Sequence, residues 1–304
     1  MRIRTLAAGL LAGGLLLTAC GKEGTPAAPG GDTSGANTAA LPTYTVAQNV
    51  DLAGSPVFAK IKSAGTVTVG VKDDQPGLGQ KDPTTGQFQG FDIEIARMVA
   101  AGLGIAPDKI KFTTVDSAAR EQAIANGQVD YYVGTYTITD KRKNLVSFAG
   151  PYFQAGQDLL VRADDTSITG PETLKGKKVC SATGSTPIQR VRDQGLTEPG
   201  NIVEFQKYSQ CVDKLLTKEV DAVTTDDAIL KGYAAQDKAN LKVVGKPFSQ
   251  EPYGIGLNKD DKVLRTKIDD LLQASLDDGT WQKIYDATLG QSGATATKPT
   301  IQRY

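Results

Sequence analysis

Histidine is absent from the 304 residues, cysteine occurs three times, methionine twice and tryptophan once. The missing imidazole excludes His-based acid–base catalysis, Ser-His-Asp and Cys-His nucleophiles, and His-ligated metal sites together. Net charge is lacking as well. The 34 basic residues balance 34 acidic ones, and no polybasic field invites nucleic acid. Nor is there a long apolar run: the stretch from Leu6 to Leu17 is too short to cross a bilayer. Nothing in the composition calls for a cofactor.

What is present begins with that short run. It follows Met1-Arg2-Ile3-Arg4 and contains no acidic residue, the organisation of an export signal over residues 1–19. Its end, Leu17-Thr18-Ala19-Cys20, looks like a bacterial lipobox, in which Cys20 is lipidated and becomes the first mature residue. Losing Arg2 and Arg4 would leave the mature chain near −2, with 32 basic and 34 acidic residues. The expected location is the extracellular face of a membrane, where acyl chains anchor the protein. Of the three cysteines one is then taken by lipid, and Cys180 and Cys211 remain as an even pair in an oxidising compartment. A disulfide is predicted. Residues 20–52, rich in Gly, Ala, Pro, Thr and Ser at their start, read as a flexible tether spanning about 30 Å; residues 291–304 read as a loose tail.

Between those ends, short β-branched runs alternate with helical patterns. Val67 to Val71, Lys111 to Val115 and Val129 to Tyr136 read as strands, and Ile95, Val99 and Leu103 recur at helical spacing. A second series has strands at Lys177 to Ala182, Ile202 to Phe205, Asp221 to Thr225 and Leu241 to Gly245. The last helical stretch, Lys262 to Leu289, breaks at Asp278-Gly279. The pattern predicts an α/β fold with a parallel sheet in each half. Ligands of such sheets sit outside the carboxyl ends of strands, and polar clusters fall there. They are Lys72-Asp73-Asp74, Gly134 to Thr137, Thr225-Asp226-Asp227, and Gly184-Ser185-Thr186 entering a helix, where free N–H groups favour an anion. The stretch from Asp130 to Arg142 adds a guanidinium, whose fork matches a carboxylate.

Several short motifs occur in a fixed order. They are Gly90-Phe91-Asp92, Asn126-Gly127-Gln128-Val129-Asp130, Thr137-Ile138-Thr139-Asp140-Lys141-Arg142, Gly184-Ser185-Thr186, Val220-Asp221-Ala222-Val223, Tyr253-Gly254-Ile255 and Asp278-Gly279-Thr280. With the lipobox they resemble the extracellular amino-acid-binding proteins of ABC importers, solute-binding family 3, over about Val57 to Gly290. The resemblance implies a type II periplasmic-binding-protein-like fold: lobe 1 from residues 53–155 plus 252–290, lobe 2 from 156–251, and crossings near Gln154 to Val161 and Ser249 to Tyr253. It implies no enzymatic activity. Its partners would be an amino acid, ABC permease subunits and the membrane, for a protein that is monomeric.

On matching positions, the resemblance implies that Arg142 holds the ligand α-carboxylate, with Thr135, Thr137, Ser185 and Thr186, and that Asp226 accepts from the α-ammonium. Asp226 also suits a helix N-cap, and Asp227 is an alternative acceptor. Lys72, Ser117 and Arg120 fall where glutamate- and aspartate-binding members contact the distal carboxylate, and Val71 to Gly77 resembles actinobacterial glutamate-binding lipoproteins. L-glutamate is the expected ligand, with aspartate, glutamine or another amino acid as alternatives. Lys72 and Arg120 could instead be surface charges paired with Asp73, Asp74 or Asp116, and Asp73 and Asp74 could receive a cationic side chain. The aromatic that many members place after the first strand or near Ser117 is missing; Tyr136 and Tyr152 are substitutes. A dehydratase-like enzyme using Asp226 or Glu251, and a sensor ectodomain, are the readings from other classes.

Overall fold

The computed structural model describes residues 39–292 and 297–304; the leader, Cys20 and the start of the tether lie outside the described residues. Helix α1 (Pro56–Ala64) opens where Ser55 Oγ accepts the Phe58 N–H, with proline at its first position. It leads into β1 (Val67–Val71), then a small antiparallel sheet of β2 (Asp74–Gln75), β3 (Gly79–Lys81) and β4 (Phe88–Gln89) that the hydropathy pattern did not reveal. Helix α2 (Phe91–Gly102), β5 (Ile110–Thr114), α3 (Arg120–Ala125), β6 (Tyr131–Tyr132) and α4 (Asp140–Lys143) follow, before the long β7 (Ser147–Ala155).

After Gly156 the chain enters a second sheet. It contains β8 (Gln157–Arg162), β9 (Val179–Ala182), α5 (Thr186–Asp193), β10 (Ile202–Phe205), α6 (Tyr208–Leu216), β11 (Ala222–Asp226), α7 (Asp227–Gln236) and β12 (Leu241–Val243). The chain returns through β13 (Glu251–Leu257) to α8 (Lys262–Asp277) and α9 (Thr280–Ala287). The strand orders are β5-β1-β6-β13-β7 and β10-β9-β11-β8-β12.

Each sheet is mixed, which corrects the all-parallel expectation. The βα units are parallel, β1 with β5 and β6, β9 with β10 and β11. The connecting strands run against them: β13 is antiparallel to β6 and β7, and β8 to β11 and β12. A chain that leaves one sheet for another and comes back cannot keep one direction. The strand expected over Val129 to Tyr136 is paired only at Tyr131 and Tyr132, after which the backbone turns away and Thr137 makes a single bridge to Tyr253.

The core of the first sheet is aromatic. Phe91 meets Trp281 edge-on at 5.7 Å, Trp281 stacks on Tyr285 at 5.6 Å, and Trp281 Nε1 donates to the Tyr152 carbonyl at 2.8 Å. Those contacts fasten α9 under the sheet. In the second sheet the Cys180–Cys211 disulfide, with Cα atoms 5.6 Å apart, ties β9 to α6.

Two segments expected to be loose are attached. Upstream, Tyr44 donates to Glu94 Oε2 at 2.9 Å and the Ala47 N–H to the Ala101 carbonyl at 2.9 Å, so the tether ends before residue 44 rather than at 52. Downstream, the Gln302 N–H donates to the Gly150 carbonyl at 2.8 Å, Arg303 pairs with Asp270 at 2.7 Å, and Tyr304 Oη accepts the Phe148 N–H at 2.8 Å. The Tyr304 ring lies under Arg265 at 4.1 Å and Lys143 at 4.6 Å. Among the described residues of this tail, the long-range bonds start at Lys298, whose Nζ donates to the Leu276 carbonyl at 3.2 Å.

Candidate functional site

The polar side chains named from the sequence converge from the carboxyl ends of strands in both sheets, as the open-sheet rule requires. Lys72 follows β1, Ser117 and Arg120 follow β5, and Thr135 and Thr137 follow β6, with Arg142 on α4. From the other sheet, Ser185 and Thr186 follow β9 and Asp226 ends β11. All of these but the partly exposed Thr186 are buried.

Their local geometry has sequence causes. Thr139 accepts the Arg142 N–H at 3.2 Å and starts the short helix that carries the guanidinium. Ser185 caps α5 in the same way through the Ile188 N–H at 3.3 Å. Thr135 sits at φ +46°, an uncommon conformation for a β-branched residue. It is held there by Asp92, whose Oδ2 accepts the Thr135 N–H at 2.9 Å while Oδ1 accepts from Tyr152 at 2.9 Å. The Asp92 of Gly90-Phe91-Asp92 is therefore a positioning residue. Burial pushes its carboxyl up to about 7.

The electrostatics are lopsided. Lys72 Nζ donates to Ser117 Oγ at 2.9 Å; among the described residues no carboxylate forms an ion pair with it, and Asp74, Asp116 and Asp73 act on it only through their charge. Desolvation, then the Arg120 charge, push its ammonium down to about 7. Arg120 stacks its guanidinium on the Tyr136 ring at 4.1 Å, and among the described residues its Nε has no hydrogen-bond partner; Glu121 Oε1 stands 4.0 Å away. Arg142 donates to the Thr137 carbonyl at 2.7 Å and reaches across to Thr186 Oγ1 and the Gly184 carbonyl, both at 3.3 Å. Its Nε is 3.3 Å from Glu121. Burial, then Arg120, lower its pKa to about 10.

Opposite these three cations is the buried carboxylate of Asp226. Asp226 Oδ2 accepts from the Tyr253 hydroxyl at 2.7 Å, and Oδ1 has no hydrogen-bond partner among the described residues. Burial, with the Glu251 charge behind it, raises the Asp226 carboxyl well above its ordinary range. Asp226 is at the N-cap position of α7 yet its side chain makes no cap bond. Asp227 turns to the chain crossing, where Oδ1 accepts the Gly156 N–H at 3.1 Å and Oδ2 meets Lys231 at 2.5 Å.

Two of the three aspartates offered as partners for Lys72 and Arg120 are engaged elsewhere, while Asp116 acts on Lys72 through its charge. Asp73 pairs with Lys207 at 2.7 Å, and Asp74 accepts the Ser209 N–H at 3.1 Å. Of the two substitute aromatics, Tyr136 lies between the guanidinium groups of Arg120 and Arg142, the latter at 5.0 Å. Tyr152 is absorbed in the core. Two further residues escaped notice in the sequence. Tyr208 opens α6 after β10, and burial, then the Asp226 charge, push its phenol up to about 12. Gln75 accepts from Thr135 Oγ1 at 3.1 Å through Oε1, while Nε2 has no partner. Both follow strands at their carboxyl ends, which is the signal that could have found them.

A separate cavity of about 740 Å³ between residues 47–51 and 103–109 contains none of these groups. The converging side chains lie instead where the two sheets meet, with Gly184 at φ +75° so close to Ala118 that a Cβ would stand 2.7 Å from its Cα.

Residues 67–291 match the profile of bacterial extracellular solute-binding proteins, family 3. The chain belongs to this family. It is 39% identical over 274 residues to the glutamate-binding protein GluB of Corynebacterium glutamicum, covering 86% of this chain and 91% of that protein. It is 38% identical over 229 residues to the ABC transporter glutamine-binding protein GlnH of Bacillus subtilis, covering 75% and 82%. Among solved structures, an ancestral arginine-binding protein bound to glutamine superposes with a TM-score of 0.68 at 38% identity, over 74% of this chain and 98% of that one. The family 3 member described here thus has the type II periplasmic-binding fold, with mixed sheets. Among the described residues no helix is long and apolar enough to cross a membrane.

Proposed function

We propose that this protein is the extracellular receptor of an ABC importer and captures L-glutamate between its two sheets. The observation that carries this reading is the unequal charge at the site: among the described residues buried Lys72 has no ion-pair partner and buried Arg120 only Glu121 at 4.0 Å, while buried Asp226 keeps an oxygen without a hydrogen bond. Glutamate has the complementary pattern. Its α-carboxylate would take the Arg142 N–H groups now directed at 3.3 Å to Thr186 and Gly184, with Thr135, Thr137, Ser185 and Thr186 around it. Its ammonium would satisfy Asp226 Oδ1, and its distal carboxylate would lie against Lys72, Ser117 and Arg120, with Tyr136 as the aromatic wall.

Energetics favour the anion over a cation. Removing one partner of a buried, hydrogen-bonded ion pair costs about 3–5 kcal/mol, and an arginine or lysine side chain would meet Lys72 rather than Asp73, which Lys207 already holds. Glutamine is the second reading, because the GlnH relative is named for it. An amide oxygen can accept from Lys72, but it leaves the excess positive charge uncompensated.

The lobes are residues 53–155 plus 252–290 and residues 156–251, and contacts made to both lobes at once are what shift the equilibrium toward closure. Cys20 carries lipid after removal of residues 1–19, tethering a monomer to the outer membrane face where permease subunits collect the ligand. No covalent chemistry is required of the site. Exported protein examined by intact mass tests the anchor: a diacylglyceryl addition at Cys20 is expected, and an unmodified chain starting elsewhere refutes it. For the ligand, Arg142→Ala should abolish measurable glutamate binding, and full affinity in that variant would remove the carboxylate clamp.

A further inference from the structure

We propose that Asp73 and Asp74 form a latch that holds the two lobes together independently of the ligand, and so set affinity without touching the amino acid; this rests on the two-lobe reading above. The pair follows Lys72 directly, yet its side chains turn away from the site. Asp73 Oδ2 accepts from Lys207 Nζ at 2.7 Å and from Thr114 Oγ1 at 3.3 Å. Asp74 Oδ2 accepts the Ser209 N–H at 3.1 Å and the Tyr233 hydroxyl at 3.3 Å, and Tyr233 also donates to the Asp74 carbonyl. Ser209 and Tyr233 belong to the second sheet's helices α6 and α7, and Lys207 immediately precedes α6.

Three features make this a built contact. In the first turn of α6 Gln210 Oε1 accepts the Lys207 N–H at 3.1 Å, while the Ser209 N–H goes to Asp74, and a carboxylate there is favoured by the helix dipole. Asp74 therefore caps a helix of the opposite lobe. One residue before Tyr233, a Cβ on Gly232 would stand 2.3 Å from the Pro76 carbonyl oxygen, so α7 meets the turn after β2 backbone to backbone. The two helices engaged are α6, which begins at Tyr208, and α7, which follows Asp226 at the end of β11, so latching draws site residues toward Lys72 and Arg120.

A ligand that binds only the closed form has its apparent dissociation constant inflated by the inverse of the closed fraction. Weakening the latch must then weaken all ligands by one common factor. Charge-assisted hydrogen bonds of this kind are worth about tenfold or more in an equilibrium constant.

The test compares the wild type with Asp74→Ala, with Asp73→Lys, and with the double variant Asp73→Lys/Lys207→Asp, which restores opposite charges in exchanged positions. Ligand-free small-angle scattering should show a larger radius of gyration for Asp74→Ala and Asp73→Lys, with recovery in the double variant. Calorimetry should show glutamate and glutamine binding weakened by the same factor, about tenfold, in each single variant. Unchanged scattering and affinity in the two singles would overturn the latch, as would a changed ratio of glutamate to glutamine affinity, which would place the pair in the ligand site. Should no amino acid bind the wild type, the functional reading fails, and the scattering of ligand-free protein still decides the latch.

Discussion

Replacing Lys72 with methionine should make the ligand-free protein more stable and the receptor worse. The Lys72 ammonium is almost fully buried, has one hydroxyl partner, and is depressed from 10.5 to about 7 by desolvation and by Arg120. The folded state therefore binds fewer protons than the unfolded chain between about 7 and 10.5, so the lysine's cost is largest below pH 7 and is relieved as pH rises through that window. Exchanging buried charges for well-packed apolar groups is often stabilising by about 1–4 kcal/mol; a gain near 2 kcal/mol corresponds to about 4–8 °C in Tm for a chain of this size. Methionine fills a similar volume and needs no partner. Glutamate, by contrast, loses its distal counter-charge, and about 3–5 kcal/mol is a fall of two to three orders of magnitude or more in affinity. Glutamine should lose much less. Differential scanning fluorimetry at pH 6 and 9 reads the first effect: the stability gain should be larger at pH 6. Calorimetry reads the second. A Lys72→Met protein that melts several degrees lower at pH 6, or that binds glutamate within threefold of the wild type, refutes the reasoning.

Other outcomes follow from the same geometry. Asp226→Asn keeps the Tyr253 contact but cannot carry the charge that an ammonium needs, so glutamate binding should fall at least a hundredfold in calorimetry while the fold persists by circular dichroism. Reducing the Cys180–Cys211 bond, which closes a 31-residue separation, should cost about 3–4 kcal/mol of stability in urea unfolding. Tyr304→Ala removes the ring held by Arg265 and Lys143 and the acceptor for the Phe148 N–H. It should lower stability by about 1–2 kcal/mol and leave glutamate affinity unchanged.

The parts of this protein legible in its sequence are those set by local pattern. Buried runs such as Val67–Val71, the Asp278-Gly279 break between α8 and α9, and the even cysteine pair each follow from residues close together or from compartment. The order of short motifs sufficed for family and fold class. What was illegible depends on distant residues. The direction of β8 and β13 is set by the chain's route between sheets, not by their own alternation. The last eight residues look loose until Gly150, Phe148, Asp270 and Arg265 are beside them. Asp73 and Asp74 resemble ligand groups in sequence because they adjoin Lys72, and only the position of α6 and α7 shows what they touch. Tyr208 was passed over for the same reason: its neighbours Asp226 and Arg120 come from other strands.

Two buried cations, Lys72 with no ion-pair partner among the described residues and Arg120 with only Glu121 at 4.0 Å, select an acidic amino acid in this reading. Isothermal titration of the mature protein with glutamate, aspartate, glutamine and arginine in one buffer tests it most directly. Glutamate should bind most tightly, aspartate and glutamine more weakly, and arginine undetectably. Glutamine or arginine binding more tightly than glutamate would contradict it.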